Sequence, residues 1–140
     1  MREFTIADYE AAAGLWENTD GVCTCDKCNI IHKKENIKNF LERNPELSYV
    51  ALVDGEVVGT ILCGHDCRTG MIYRLTVSEK HRKKSIGKKL VERSIAQLKS
   101  QGIITVKIFV LNDNAPGNLF WEKVGFGQME NAVTRECDLY

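Results

Sequence analysis

The stretch KHRKKSIGKKL, residues 80–90, gathers Lys80, Arg82, Lys83, Lys84, Lys88 and Lys89 around Ser85 and Gly87. The chain as a whole carries 19 Lys+Arg against 19 Asp+Glu, so this positive charge is local and implies a small, local target. A strand-like run, MIYRLTV, precedes the stretch, and an apolar helical pattern opens near Ile86. At a helix N-terminus the first four N–H groups have no partner inside the helix, and their dipoles sum to a partial positive charge. A diphosphate placed there supplies the missing acceptors. Gly87 lets it approach the backbone closely, and the Ser85 hydroxyl is a further small donor. The bland alternative is a solvated basic surface, but cations oppose the dipole at that end of a helix. A nucleoside-triphosphate P-loop is excluded, because Gly87-Lys88 lacks both the upstream glycine and the following hydroxyl.

A second group of reactive side chains lies in VCTCDKCNIIH, with Cys23, Cys25, Cys28 and His32. Three thiols and an imidazole match tetrahedral zinc in kind. The C-x-C-x-x-C spacing departs from the usual paired arrangement with a distant partner pair, although Cys63 and Cys67 are available to complete a set. The expectation is reduced thiols in a loop, with no metal required; Cys137 reads as a small strand residue.

The elements that must position these groups follow from periodicity and punctuation. EFTI reads as a short strand, and Asp8 as the cap of a helix over 9–18 with Ala12, Leu15 and Trp16 inward. A helix over 34–43 carries Ile37, Phe40 and Leu41 on one face and stops before Pro45. SYVALVDGEVVGTILCG is a hairpin turning at Asp54-Gly55. Residues 71–77 form the next strand. The helix from Ile86 carries Leu90, Ile95 and Leu98, with Val91 and Ser94 beside them, and Gly102 ends it. IITVKIFVL reads as a strand covered on both faces, and APGNLFWEKV as a short helix with Pro116 in its first turn. GFGQME and TRECDLY read as closing strands. The order predicts one α+β domain over residues 1–140, with a mixed, mostly antiparallel twisted sheet of six to seven strands and about four helices.

Composition agrees. An apolar share of 44% in 140 residues supports one core. Zero net charge argues against general nucleic-acid binding, and no apolar run is long enough to span a membrane. Glu3 and Asp8 fall where an export signal needs apolar residues, so a cytoplasmic protein with six reduced cysteines is expected.

Two motifs carry a resemblance. Arg82-Lys83-Lys84-Ser85-Ile86-Gly87 is similar to the pyrophosphate loop [QR]-x-x-G-x-[GA] of the GCN5-related N-acetyltransferases, with Ser85 in place of the first glycine. NAPGNLFWEKVGF resembles their N-x-x-A-x-x-x-Y-x-x-x-G-[FY] signature, keeping Asn114, Gly125 and Phe126, with Gly117 for the alanine and Trp121 for the tyrosine. The likeness covers nearly the whole chain. It points to small bacterial members related to ribosomal-protein alanine acetyltransferases.

The resemblance implies acetyl-CoA as cosubstrate and an amine on a small molecule or protein as acceptor, attacked directly in a ternary complex. It implies pantetheine along Leu75, Thr76 and Val77, and pyrophosphate on Arg82, Lys83, Lys84, Ser85, Ile86 and Gly87, with Lys88 beside them. Asn114 and Gly117 would serve the pantetheine side, and Phe120 and Trp121 would line the thioester. A monomer or homodimer is expected, without nucleic-acid or membrane partners. Trp121 replaces the family's tyrosine acid, and Phe109 stands where some relatives place a basic glutamate. His65 and Asp66 are the substitute bases, and Tyr73 the substitute proton donor. The departures at Phe109 and Trp121 leave one alternative, a CoA-binding sensor without catalysis, and the loop of Cys23, Cys25 and Cys28 leaves another, a metal- or redox-responsive module.

Overall fold

The hairpin turn at Asp54-Gly55 forms as its residues dictate: both take positive φ, 51° and 79°, and Val53 pairs with Glu56. The computed structural model describes residues 1–139. It divides into two compact units, Met1–Phe109 and Val110–Tyr140.

The first unit holds a five-stranded sheet in the order β1-β2-β3-β4-β5. The strands are β1 (Arg2–Glu3), β2 (Tyr49–Val53), β3 (Glu56–His65), β4 (Gly70–Val77) and β5 (Val106–Ile108). The pairings are antiparallel except for β4 with β5, which is parallel. Between β1 and β2 run helices α1 (Tyr9–Glu17), α2 (Asp26–Ile31) and α3 (Lys34–Arg43); α4 (Ile86–Ser100) connects β4 to β5.

One core joins α1 and α3 to the sheet through Phe4, Ala12, Trp16, Ile37, Val50 and Leu62. The apolar stripe of α4 buries Leu90, Val91 and Leu98 against β2, β3 and β4. Ser94 is more deeply placed than Ile95, because its hydroxyl donates to the Leu47 carbonyl at 2.8 Å. Gly102 ends α4 at φ 82°, with the Ile103 N–H reaching back to the Leu98 carbonyl at 3.0 Å, a Schellman closure.

Several expectations are corrected. Asp8 does not cap α1 with its side chain; its carboxylate turns back to the Thr5 N–H at 2.9 Å and to the Arg2 guanidinium at 2.7 and 2.8 Å. The cysteine loop contains the short helix α2, so the described residues hold five α-helices, counting the one below. β5 is three residues long instead of nine, with Ile104 and Phe109 exposed, because the chain leaves the edge of β4 after the Ile72↔Ile108 pair. Among the described residues no strand follows Ile108, so GFGQME and residues 134–139 of TRECDLY take no regular secondary structure; Tyr140 lies outside the described residues. No helix among the described residues is long and apolar enough to cross a membrane.

The second unit contains α5 (Ala115–Lys123). Asn114 caps it, its Oδ1 accepting the Gly117 N–H at 3.0 Å. At the other end Gly125 takes φ 98° and the Phe126 N–H reaches the Trp121 carbonyl at 2.8 Å. The rings of Trp121 and Phe126 then meet at 4.8 Å, the apolar contact that accompanies such a closure.

Candidate active site

The site is organised by an irregularity in β4. Thr60 pairs with Thr76 and Leu62 pairs with Tyr73, so Arg74 and Leu75 together face the single residue Ile61. This is a β-bulge, with Arg74 at φ 50°. The buried Thr60 hydroxyl donates to the Arg74 carbonyl at 3.1 Å and accepts the Trp16 indole N–H at 3.0 Å. Thr76 adds a second donor to the same carbonyl at 3.4 Å. The bulge is thereby held from α1.

Its consequence is a one-sided strand. β5 pairs with β4 only as far as Ile72↔Ile108. From Tyr73 to Val77, a stretch that includes Leu75, Thr76 and Val77, no strand among the described residues pairs on that side of β4. Such an edge presents amide donors and acceptors to an extended ligand. At its far end the Val77 carbonyl already accepts Arg82 Nε at 3.3 Å.

The chain then makes a 3₁₀ turn over Glu79–His81 and enters α4. Lys83 and Ser85 both take φ 61°. Among the described residues, the backbone N–H groups of 83–88 have no hydrogen-bond acceptor outside α4, and the first turn of a helix offers none within it. Lys88 forms an i,i+4 pair with Glu92 at 3.8 Å, while Lys80, Lys83 and Lys84 are exposed. His81 is half-buried, and its Nδ1 is buried without a partner among the described residues.

Beside the bulge lies a cavity of about 150 Å³ bordered by Tyr9, Trp16, Glu17, Thr24, His32 and Arg74. The Arg74 guanidinium stands over the Trp16 ring, 5.5 Å from its centroid, and no carboxylate pairs with it among the described residues. Burial lowers its pKa, an effect the Cys28, Cys23 and Cys25 sulfurs oppose only where they ionise, and burial pushes the Cys28 thiol itself up to about 12. His32 Nδ1 lies 2.8 Å from Arg74 Nη2 and 2.9 Å from the Cys28 carbonyl. One ring nitrogen serves one of these at a time: bare, it accepts from the guanidinium; protonated, it donates to the carbonyl. Burial lowers the His32 pKa, which keeps the ring neutral near pH 7. The Tyr9 hydroxyl donates to the His32 carbonyl at 2.9 Å. A larger cavity, about 470 Å³, lies at the β2–β3 hairpin beside Arg2 and Asp8 and contains none of these groups.

The structure separates the substitute acid–base residues. Tyr73 lies next to the bulge, edge-on to Phe40 at 5.7 Å; burial raises its pKa, and its hydroxyl has no partner among the described residues. His65 and Asp66 lie at the opposite end of β4, where His65 pairs with Gly70. His65 Nδ1 accepts the Cys67 N–H at 2.9 Å, so its proton sits on Nε2, 2.8 Å from the Gln101 amide oxygen. Asp66 accepts the N–H groups of Thr69 and Arg68 and the Arg68 guanidinium, which together hold its carboxyl well below the usual carboxylate range. Both side chains build a turn: the Cys67 N–H takes the His65 Nδ1 lone pair, and the partners that keep Asp66 ionised make it a weak proton acceptor.

In the second unit Asn114 and Gly117 are joined by the cap of α5. A Cβ on Gly117 would meet the Asn114 amide at 2.4 Å, which accounts for glycine at the family's alanine position. Trp121 is buried, and its indole stands edge-on to Phe120 at 5.2 Å. In the loop before α3, Cys23 and Cys28 have their sulfurs 2.7 Å apart, and Cys23 and Cys25 3.3 Å. The Cys25 thiol accepts the Cys28 N–H, which with the neighbouring thiols lowers its pKa to about 7. Periodicity alone predicts neither the bulge nor the place of Arg74. The one available signal was an arginine interrupting the apolar alternation of MIYRLTV.

The family model of the GNAT acetyltransferases matches residues 14–126. An acetyltransferase of Sodalis glossinidius is 31% identical over 134 residues, which covers 95% of this chain and 89% of that protein. One of Photorhabdus laumondii is 32% identical over 127 residues, covering 90% and 85%. Among solved structures, a PaiA N-acetyltransferase from Thermoplasma acidophilum in complex with coenzyme A aligns with a TM-score of 0.79 at 22% identity, covering 94% of this chain and 91% of that one. Ard1 from Thermoplasma volcanium aligns at 0.77 and 24% identity, over 90% and 80%. These structures share the fold; the matched family model and the sequence relatives establish descent: the chain belongs to the GNAT acetyltransferase family.

Proposed function

We propose that the protein transfers an acetyl group from acetyl-CoA to a primary amine by direct attack within a ternary complex. The observation that carries this reading is the continuity of two unfilled backbone surfaces, the open edge of β4 from Tyr73 to Val77 and the free N–H groups of 83–88. The amides of a pantetheine arm match the first, and a pyrophosphate matches the second. Arg82, Lys83 and Lys84 add charge around the phosphates, and Lys88 lies one residue past Gly87. Asn114, Gly117, Phe120 and Trp121 are assigned to the cofactor on the family signature alone. Both units are taken to serve one catalytic domain, supported by a family match that spans them.

The acceptor amine is assigned to the cavity of Trp16, Glu17, His32 and Arg74. A lysine-type amine is neutral in only about one molecule in 10³ at pH 7, so its proton must leave before or during attack. With His65 and Asp66 engaged in their turn, solvent or the exposed Glu17 carboxylate takes it. A backbone N–H of the bulge stabilises the oxyanion that forms on the thioester carbonyl. Tyr73, kept neutral by burial, donates a proton to the departing thiolate. Positioning contributes the rest.

The direct test is a panel of amines with detection of released thiol. The proposal expects amine-dependent release of one thiol per acetylated product. Tight CoA binding with only slow hydrolysis, independent of any amine, would show a sensor in place of an enzyme.

A further inference from the structure

We propose that Cys23, Cys25 and Cys28 form a tris-thiolate site for a soft cation of the zinc type, on the loop that walls the acceptor cavity. The three Sγ atoms all lie within 4.8 Å of one another. Tetrahedral zinc with Zn–S of about 2.3 Å separates its sulfurs by about 3.8 Å, so the pairs at 2.7 and 3.3 Å would open by about 1 and about 0.5 Å to hold it. The local fold brings them together: Cys25 is the N-cap of α2, and Cys28 lies three residues on with its N–H on the Cys25 sulfur. Packing does not account for the cluster, because Cys25 is exposed and Cys23 and Cys28 are only half-buried, whereas the core cysteine, Cys63, stands apart.

An independent observation is the unpaired cation beside them. Arg74 is half-buried without a carboxylate among the described residues, and the His32 ring nitrogen lies between its guanidinium, at 2.8 Å, and the Cys28 carbonyl, at 2.9 Å. Zinc(II) with three thiolates carries one net negative charge, which complements one guanidinium. The His32 ring is turned to Trp16 and Arg74 and is absent from the cluster, so the fourth position opens to solvent. Binding displaces the thiol protons to the buffer and changes no oxidation state. Thr24 lies between two ligands and Asn29 directly after the third, and both border the acceptor cavity, so a bound ion fixes that wall. The site stands independently of the proposed acetyl transfer.

The test uses the full chain, chelator-treated, reduced and kept anaerobic, titrated with zinc(II). The proposal expects one equivalent to bind and to slow alkylation of Cys23, Cys25 and Cys28 while leaving Cys67 and Cys137 unchanged. Cobalt(II) should give a sulfur-to-metal charge-transfer band. Loss of an outer-shell partner already weakens metal sites about 10–100-fold, so Cys25→Ser, which loses a direct ligand, should weaken binding by at least about 100-fold. Cys67→Ser should bind as the unaltered chain does. Alkylation rates of the three thiols that ignore zinc, or equal affinity in Cys25→Ser, would overturn the assignment.

Discussion

The indole N–H of Trp16 on α1 donates to the Thr60 hydroxyl on β3 at 3.0 Å, and through it α1 holds the Arg74 carbonyl in the bulge of β4. Thr60 is fully buried, so replacing it with the isosteric Thr60→Val leaves two buried polar groups one partner short. The expected loss is about 1–3 kcal/mol of stability, visible as a lower denaturation midpoint with an unchanged slope. A variant as stable as the parent would mean that the relay does not hold the bulge.

Ser85 takes φ 61° and ψ 16°, a left-handed conformation that disfavours residues with a Cβ. It stands where the family places its first loop glycine. Ser85→Gly is therefore expected to raise stability by about 0.5–1 kcal/mol, the steric gain being partly offset by greater backbone entropy in the unfolded chain. Chemical denaturation at neutral pH measures it; destabilisation would contradict the assigned conformation.

The Arg2 guanidinium, opposed by burial and assisted by the Thr5 N–H, holds the Asp8 carboxyl below its ordinary value of 3.8. A depressed folded-state pKa gives stability that is fully present above the unfolded value. That stability is lost as pH falls from 3.8 through the lower folded value. Asp8→Asn should thus be less stable than the parent at pH 7, and the difference should shrink as acid is added below pH 4. A gap that stays constant through that range would remove the linkage.

Tyr73→Phe tests the proton donor. General acid catalysis contributes about 10²–10⁴-fold, and an easily expelled thiolate puts the expected fall in kcat at the low end, about 10²-fold. The KM for acetyl-CoA should hold, because the hydroxyl is assigned to the departing sulfur. An unchanged kcat would return Tyr73 to the purely packing role seen against Phe40.

Lys83 and Lys84 are exposed, so their attraction to phosphate is screened by salt. Replacing both with Ala should weaken acetyl-CoA binding more at low than at high ionic strength. Equal losses at both would leave the backbone donors as the whole of the phosphate site.

What the sequence revealed was what local residues decide. Asp54-Gly55 needs only its own backbone freedom to turn the hairpin, Gly102 only its own to end α4, and the stripe of Leu90, Val91 and Leu98 announces one buried helix face. The bulge was hidden because a non-glycine residue at positive φ, Arg74, is stabilised by Thr60, fourteen residues away, and not by its neighbours. β5 was overextended for the same reason: its apolar run continues through Phe109, but its partner strand stops pairing at Ile72. His65 and Asp66 have suitable chemistry for a base, but only the folded turn shows that the Cys67 N–H takes the His65 Nδ1 lone pair and that Arg68 and Thr69 hold the Asp66 carboxylate.

The central claim, that a diphosphate docks on the free N–H groups at the start of α4, is tested most directly by titrating acetyl-CoA into the parent chain and into Gly87→Glu. The account predicts that the parent binds while the variant, equally folded by circular dichroism, loses binding altogether, because the glutamate brings bulk and negative charge to the phosphate position. Equal affinity in the two proteins would contradict it.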